Sequence, residues 1–156
     1  MGLGTRNPIY DALLLAHILS AVAGFGANAL TGIYAGQLYP GASEEAVRYF
    51  NSPRFLAEKL IYLIPIFGLI MIGLSRGMPE LEKPWVLIGM LLWIAAVAVA
   101  HAMVWPAERR LPELISRQRC NDELRLLAKK VSRGALVMDL IFVAAFVVMI
   151  VQIGGK

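Results

Sequence analysis

Four long runs of apolar residues dominate the chain, at about residues 9–35, 55–74, 85–105 and 135–153. A helix needs about 20 mostly apolar residues to cross the hydrocarbon core of a bilayer. A segment surrounded by lipid must satisfy its own backbone hydrogen bonds, and a helix does so. The pattern therefore predicts an all-α protein, a four-helix transmembrane bundle in which residues 1–156 form a single domain.

The segment between the third and fourth runs is polar but keeps a helical pattern. Pro106 is expected to break the helix, and after it Leu111 and Leu114 share one helical face. Asn121 is a good N-cap for the helix that follows. We therefore expect helices three and four to extend past the membrane as a helical hairpin over about residues 107–133.

The composition limits the classes of function. The chain is 58% hydrophobic and 17% charged, whereas soluble domains carry about 25% charged residues. Four crossings leave no room for a separate soluble catalytic domain. A single cysteine, Cys120, excludes an intramolecular disulfide. Phosphate loops, glycine fingerprints and nucleophile motifs are missing from the sequence, which disfavours hydrolase and nucleotide-dependent chemistry.

The positive charges are divided unequally between the two sides of the predicted bundle. Eleven of the fifteen Lys and Arg residues fall on the side of the hairpin, and four fall on the side of the two termini. The eleven are Arg48, Arg54, Lys59, Arg109, Arg110, Arg117, Arg119, Arg125, Lys129, Lys130 and Arg133, and the four are Arg6, Arg76, Lys83 and Lys156. The positive-inside rule then makes the hairpin cytoplasmic and places both termini outside a plasma (bacterial inner) membrane.

In a membrane this basic excess favours lipid over nucleic acid as the partner. The expected partners are the bilayer itself and anionic headgroups at the cytoplasmic hairpin. The alternative use of the hairpin is as a docking surface in a homo-oligomer or a larger membrane complex.

One face of the first helix is small and polar from end to end. Its members recur at helical spacing within an arc of roughly 60°, and they are His17, Ser20, Gly24, Asn28, Thr31 and Ala35. One interpretation is close packing, since small residues let helices approach and polar ones bond between helices. The other is a lined cavity or cofactor groove, to which Asn28 would contribute.

Two histidines are present, and each has candidate partners at its own depth. Met71, Met90 and Met149 are expected near the level of His17, where thioethers and an imidazole could ligate Cu(I) or a haem iron. Depth separates His17 from the second histidine by roughly 12 Å at 1.5 Å per residue, which disfavours one iron held by both.

His101 and Asp139 are expected at matching depth near the inner ends of helices three and four. A carboxylate beside an imidazole offsets the cost of burying both groups in a membrane. The pair is interpreted either as a structural hydrogen bond between two helices or as a proton relay.

Several short motifs resemble those of a loose superfamily of small membrane proteins. They are Leu15-Ala16-His17-Ile18-Leu19 in a Gly-rich first helix, Asn51-Ser52-Pro53, His101 followed by Glu108-Arg109-Arg110, and Val147-Val148-Met149-Ile150-Val151. The superfamily includes copper-resistance protein D membrane domains, the haem-containing membrane protoporphyrinogen oxidase and uncharacterised four-helix proteins, which are the nearer match. The resemblance implies that His17 is a haem or metal ligand.

Two hypotheses of function follow. In the first, the protein binds haem b or copper through His17 and acts in redox chemistry, electron transport or metal handling. In the second it is not an enzyme but an accessory subunit or a self-associating bundle of a larger membrane complex.

Overall fold

The computed structural model describes residues 7–38, 43–52, 55–75, 78–116 and 122–152, without the side chains of 55–59 and 78. Every regular element in these ranges is helical, as the all-α prediction requires. The helices are α1 (Pro8–Gln37), α2 (Glu44–Asn51), α3 (Phe55–Leu74), α4 (Met78–Leu81), α5 (Pro84–Val99), α6 (Trp105–Ser116) and α7 (Asp122–Val151). A π-helical segment, Ala100–Val104, joins α5 to α6.

Three helical stretches are long and apolar enough to cross a membrane. They are Pro8–Gln37, Pro84–Ser116 and Asp122–Val151, and each contains a strongly apolar window of 18 residues. The 30 residues of α1 extend about 45 Å at 1.5 Å per residue, more than the roughly 30 Å of a hydrocarbon core. The fourth predicted crossing corresponds to α3, whose described apolar part is the shorter Leu60–Leu74. These helices indicate a multi-pass membrane protein, and the fourth crossing stays a prediction.

The caps explain where the first two helices begin. The side chain of Asn7 accepts a hydrogen bond from the backbone N–H of Ile9 at 2.9 Å, and Pro8 occupies the first helical position, where a missing N–H costs nothing. Ser43 likewise accepts from the backbone N–H of Ala46 at 3.2 Å. Both starts follow from local sequence alone.

The prediction of a helix break at Pro106 is wrong. The chain stays helical from Pro84 to Ser116, and the π-helical segment lies just before the proline. There the backbone N–H of Trp105 donates to the carbonyl of Ala100, five residues earlier. Pro106 consequently falls in the first turn of α6, where a missing N–H is tolerated.

The last helix is held close to its neighbours by glycines. A Cβ at Gly32 of α1 would lie 2.9 Å from the Cβ of Ala135, and one at Gly134 would lie 2.8 Å from Cγ2 of Val104 in the π-helical segment. Ordinary side chains do not fit at such distances, so both glycines set the helix spacing. Adjacent residues of α7 thus touch α1 on one side and the π-helical segment on the other.

These contacts fix the order of the helices. α1 packs against both α3 and α7, α7 also packs against α5, and direct contact between α3 and α5 is slight. α6 packs on the first half of α7, where Leu111 and Leu114 share a buried cluster with Leu124 and Val131. The predicted hairpin turn and its N-cap Asn121 lie outside the described residues, so the cytoplasmic hairpin stays a prediction.

Candidate functional site

His17 is held against α3 by a backbone hydrogen bond. Its Nδ1 lies 2.8 Å from the carbonyl oxygen of Ile64. A carbonyl can only accept, so Nδ1 carries a hydrogen, and in the neutral ring the lone pair is on Nε2. Gly68 makes room for the ring, since a Cβ there would lie 3.4 Å from Cε1 of His17. Within the described part of the chain, Nε2 has no hydrogen-bond partner.

The three predicted methionine ligands lie in different places. Met71 is buried on α3, three residues after Gly68 and therefore on the face that meets His17. Met149 packs its methyl group where a Cβ of Gly89 would stand, between α7 and α5. Met90 is 39% exposed on α5. Of the three, Met71 alone is buried on the helix to which His17 is bonded.

Asn28 connects the first helix to the last. Its amide nitrogen donates to the carbonyl of Ala135 at 2.9 Å and to Oδ1 of Asp139 at 2.7 Å. Both amide hydrogens are used in this way, which leaves the side-chain oxygen of Asn28 as an acceptor. The close approach of α1 and α7 at Gly32, one turn away, brings the amide within reach of α7.

The structure does not bring His101 and Asp139 together. Nδ1 of His101 lies 3.0 Å from the carbonyl of Val97, and Nε2 lies 3.3 Å from the hydroxyl of Tyr62 on α3. The imidazole also packs edge-on against Trp105, with ring centroids 4.4 Å apart. Asp139 faces α1 and bonds to Asn28 instead, because α7 lies next to α1 and His101 is turned toward α3.

The small and polar stripe of α1 is used inside the protein. Ser20, Gly24, Thr31 and Ala35 are buried, and a Cβ at Gly24 would lie 4.0 Å from the backbone of Ile61. The hydroxyl of Ser20 donates to its own helix, as buried hydroxyls often do. Packing within the chain therefore accounts for most of the stripe. Its buried residues are not available to a docking surface.

Two residues near the stripe were not predicted from the sequence. The hydroxyl of Tyr49 on α2 lies 2.7 Å from Oγ1 of Thr31, and its ring stacks on Tyr34 at 4.4 Å. Glu108 of α6 lines a cleft together with Asn28 and Thr31. The amphipathic pattern of residues 44–51 is the one sequence signal for Tyr49. Glu108 belongs to the Glu108-Arg109-Arg110 motif, which does not by itself mark it as a site residue.

The described side chains contain no group of three or more His, Cys, Asp or Glu residues placed to hold a metal ion. The chain also gives no match in comparisons with known proteins, whether with family models, curated proteins or solved structures.

Proposed function

We propose that this protein is a multi-pass membrane protein that binds a transition metal, as haem b or as copper, through Nε2 of His17. The hydrogen bond from Nδ1 to the carbonyl of Ile64 carries the proposal. Histidines that ligate metals usually donate their other ring N–H to a carbonyl or carboxylate, which fixes the tautomer and directs the lone pair to the metal. The resemblance to haem- and copper-containing membrane proteins supports the same residue.

Among the described side chains, the donor atoms around His17 fit one imidazole ligand and, at most, one thioether. Met71 is the candidate for the thioether, because it is buried on the same face of α3 as Gly68. An imidazole with a thioether suits Cu(I), and a single imidazole suits haem iron. Met90 and Met149 face other surroundings, so neither belongs to this donor set. Bound haem or copper would supply one-electron redox chemistry.

A visible spectrum and a copper assay of the purified protein test the proposal. The protein should be made in cells supplied with copper and a haem precursor. We expect a Soret band or stoichiometric copper in the wild type, and its loss in His17→Ala. Loss in Met71→Leu as well would identify copper, whereas retention would favour haem.

His101→Ala is the matched control, because the Nε2 of His101 already faces the hydroxyl of Tyr62. It should keep the full cofactor content. A wild-type protein that carries neither cofactor, or a His17→Ala variant that keeps it, would contradict the proposal. The first outcome would favour the alternative of an accessory subunit or self-associating bundle.

The orientation in the membrane is part of the proposal. We infer four crossings of a plasma membrane with both termini outside, a topology that the division of eleven and four basic residues supports. Reporter fusions at residue 40 and at the C-terminus should report opposite sides of the membrane. The same side for both would mean that α3 does not cross.

A further inference from the structure

A mostly apolar cleft that contains three polar residues lies where α1, α3, α6 and α7 meet. Asn28, Thr31 and Glu108 are its polar lining residues, and apolar side chains of all four helices complete the walls. Its volume, measured as the space open to the centre of a water molecule, is about 40 Å³. A single water needs roughly 10–15 Å³ on this measure. The cleft thus has room for about three waters or one partly hydrated ion, and it is too small for an organic ligand of any size.

The lining residues offer oxygen atoms. Asn28 donates both of its amide hydrogens to acceptors on α7. Its side-chain carbonyl oxygen is the atom that it can offer to an occupant of the cleft. The hydroxyl hydrogen of Thr31 is directed to the carbonyl of Ala27 at 3.0 Å. Its oxygen accepts from the Tyr49 hydroxyl at 2.7 Å, which leaves one lone pair for an occupant. Glu108 brings the one formal charge among the described lining residues. Oxygen acceptors with a carboxylate are the donor set of a hard cation.

A second carboxylate stands directly behind Asn28. Oδ1 of Asp139 accepts from the Asn28 amide at 2.7 Å, and its residue lies within the apolar span of α7. Among the described residues, Asp139 forms no ion pair with a basic side chain. A carboxylate within a membrane segment is costly and usually marks an ion pathway or an ion site. The amide transmits this negative charge to the cleft, since its carbonyl is polarised by donation to Asp139.

We propose that the cleft is a binding site for a small monovalent cation of the Na⁺ type. The ion contacts Asn28, Thr31 and Glu108, and Asp139 contributes its charge through Asn28. The site is separate from His17, which lies about three turns before Asn28 on α1 and faces α3. The proposed cation site is therefore independent of the proposed metal site, and evidence against one would not be evidence against the other.

The test is the thermal stability of the full-length protein at constant ionic strength, with NaCl replaced stepwise by choline chloride. Choline is too large for the cleft, and a ligand that binds the folded state raises the melting temperature as its concentration increases. We expect a saturable rise with Na⁺ in the wild type. Retention of radioactive Na⁺ by the purified protein measures the binding directly.

Two isosteric variants locate the ion. Glu108→Gln and Asp139→Asn should each weaken Na⁺ binding about tenfold, which corresponds to about 1.4 kcal/mol. The Asp139→Asn variant keeps a side-chain oxygen that can accept from Asn28. Glu113→Gln, on the exposed side of the same helix α6, is the control and should bind as the wild type does. Stability that does not depend on Na⁺, with no retained Na⁺, overturns the proposal. Equal Na⁺ binding in Glu108→Gln and the wild type overturns it as well.

Discussion

The indole N–H of Trp93 in α5 donates to the carbonyl oxygen of Ile61 in α3 at 2.8 Å. Pro65 lies four residues after Ile61, inside the same helix, and has no N–H to give that carbonyl. In lipid an unsatisfied carbonyl is destabilising because no water can replace the missing partner. The Trp93 indole therefore replaces the backbone hydrogen bond that Pro65 cannot make. The same bond joins α3 and α5, which otherwise make few contacts.

Replacing Trp93 with Phe should destabilise the protein, because the carbonyl of Ile61 loses its hydrogen-bond donor. We expect a cost of about 1–2 kcal/mol in the free energy of unfolding, the upper range for hydrogen bonds between membrane helices plus some lost packing. Unfolding in a graded SDS titration measures it. Pro65→Ala restores an N–H for the carbonyl, so Trp93→Phe should cost less in that background. Equal costs in both backgrounds would show that the two residues act independently.

Gly32→Ala should lower stability by forcing α1 away from α7. The new Cβ would lie 2.9 Å from that of Ala135, and overpacking of this kind costs about 1–3 kcal/mol. The hydrogen bonds of Asn28 to α7 would lengthen at the same time. Gly26→Ala is the control in the same helix, since nothing lies within 4 Å of a Cβ there. A Gly26 variant destabilised as much as the Gly32 variant would contradict this assignment.

Tyr49→Phe should weaken the attachment of α2 to α1. Because the Thr31 hydroxyl donates to Ala27, the Tyr49 hydroxyl is the donor in its 2.7 Å contact with Thr31. Its removal should cost about 1 kcal/mol, measured as a lower melting temperature. Tyr34→Phe keeps the ring that stacks on Tyr49 and serves as the control. Proteolysis within residues 44–51 that is no faster in Tyr49→Phe than in Tyr34→Phe would argue against the attachment.

Gly68→Leu should displace the His17 imidazole from Ile64. A Cβ at this position would already lie 3.4 Å from the ring, and the larger side chain has no space. We expect loss of the Nδ1 hydrogen-bond signature in nitrogen NMR of histidine-labelled protein, together with any cofactor that His17 holds. Gly73→Leu, on the same helix with nothing near its Cβ, should preserve both. An unchanged histidine signal in Gly68→Leu would contradict the described position of the ring.

The sequence predicts the long helices well because hydrophobic length is a local property. α1 and α7 contain the predicted runs 9–35 and nearly all of 135–153, and the caps at Asn7 and Ser43 need few neighbours. The error at Pro106 arises because the rule for proline assumes a regular α-helix on both sides. The π-helical turn before Pro106 lets the helix continue past the proline. No pattern in the local sequence predicts that turn.

The site residues show a second limit. Counting residues from the membrane surface gives the depth of a side chain, but not the helix that it faces. Depth alone pairs His101 with Asp139, whereas the structure turns one toward α3 and the other toward α1. The helical spacing places Asn28 in the stripe, yet its bond to Asp139 depends on α1 and α7 being neighbours. That arrangement follows from the close contact at Gly32 and Ala135, which is a tertiary property.

The bond between Asn28 and α7 also affects how the chain is made. Asn28 is separated from Ala135 by 107 positions and from Asp139 by 111. Synthesis proceeds from the N-terminus, so α1, α3 and α5 leave the ribosome before either partner exists. During that interval the amide has no α7 to bond. Arrival of α7 is thus the step that satisfies this amide, and a chain cut short before α7 would present an unsatisfied polar face to the insertion machinery.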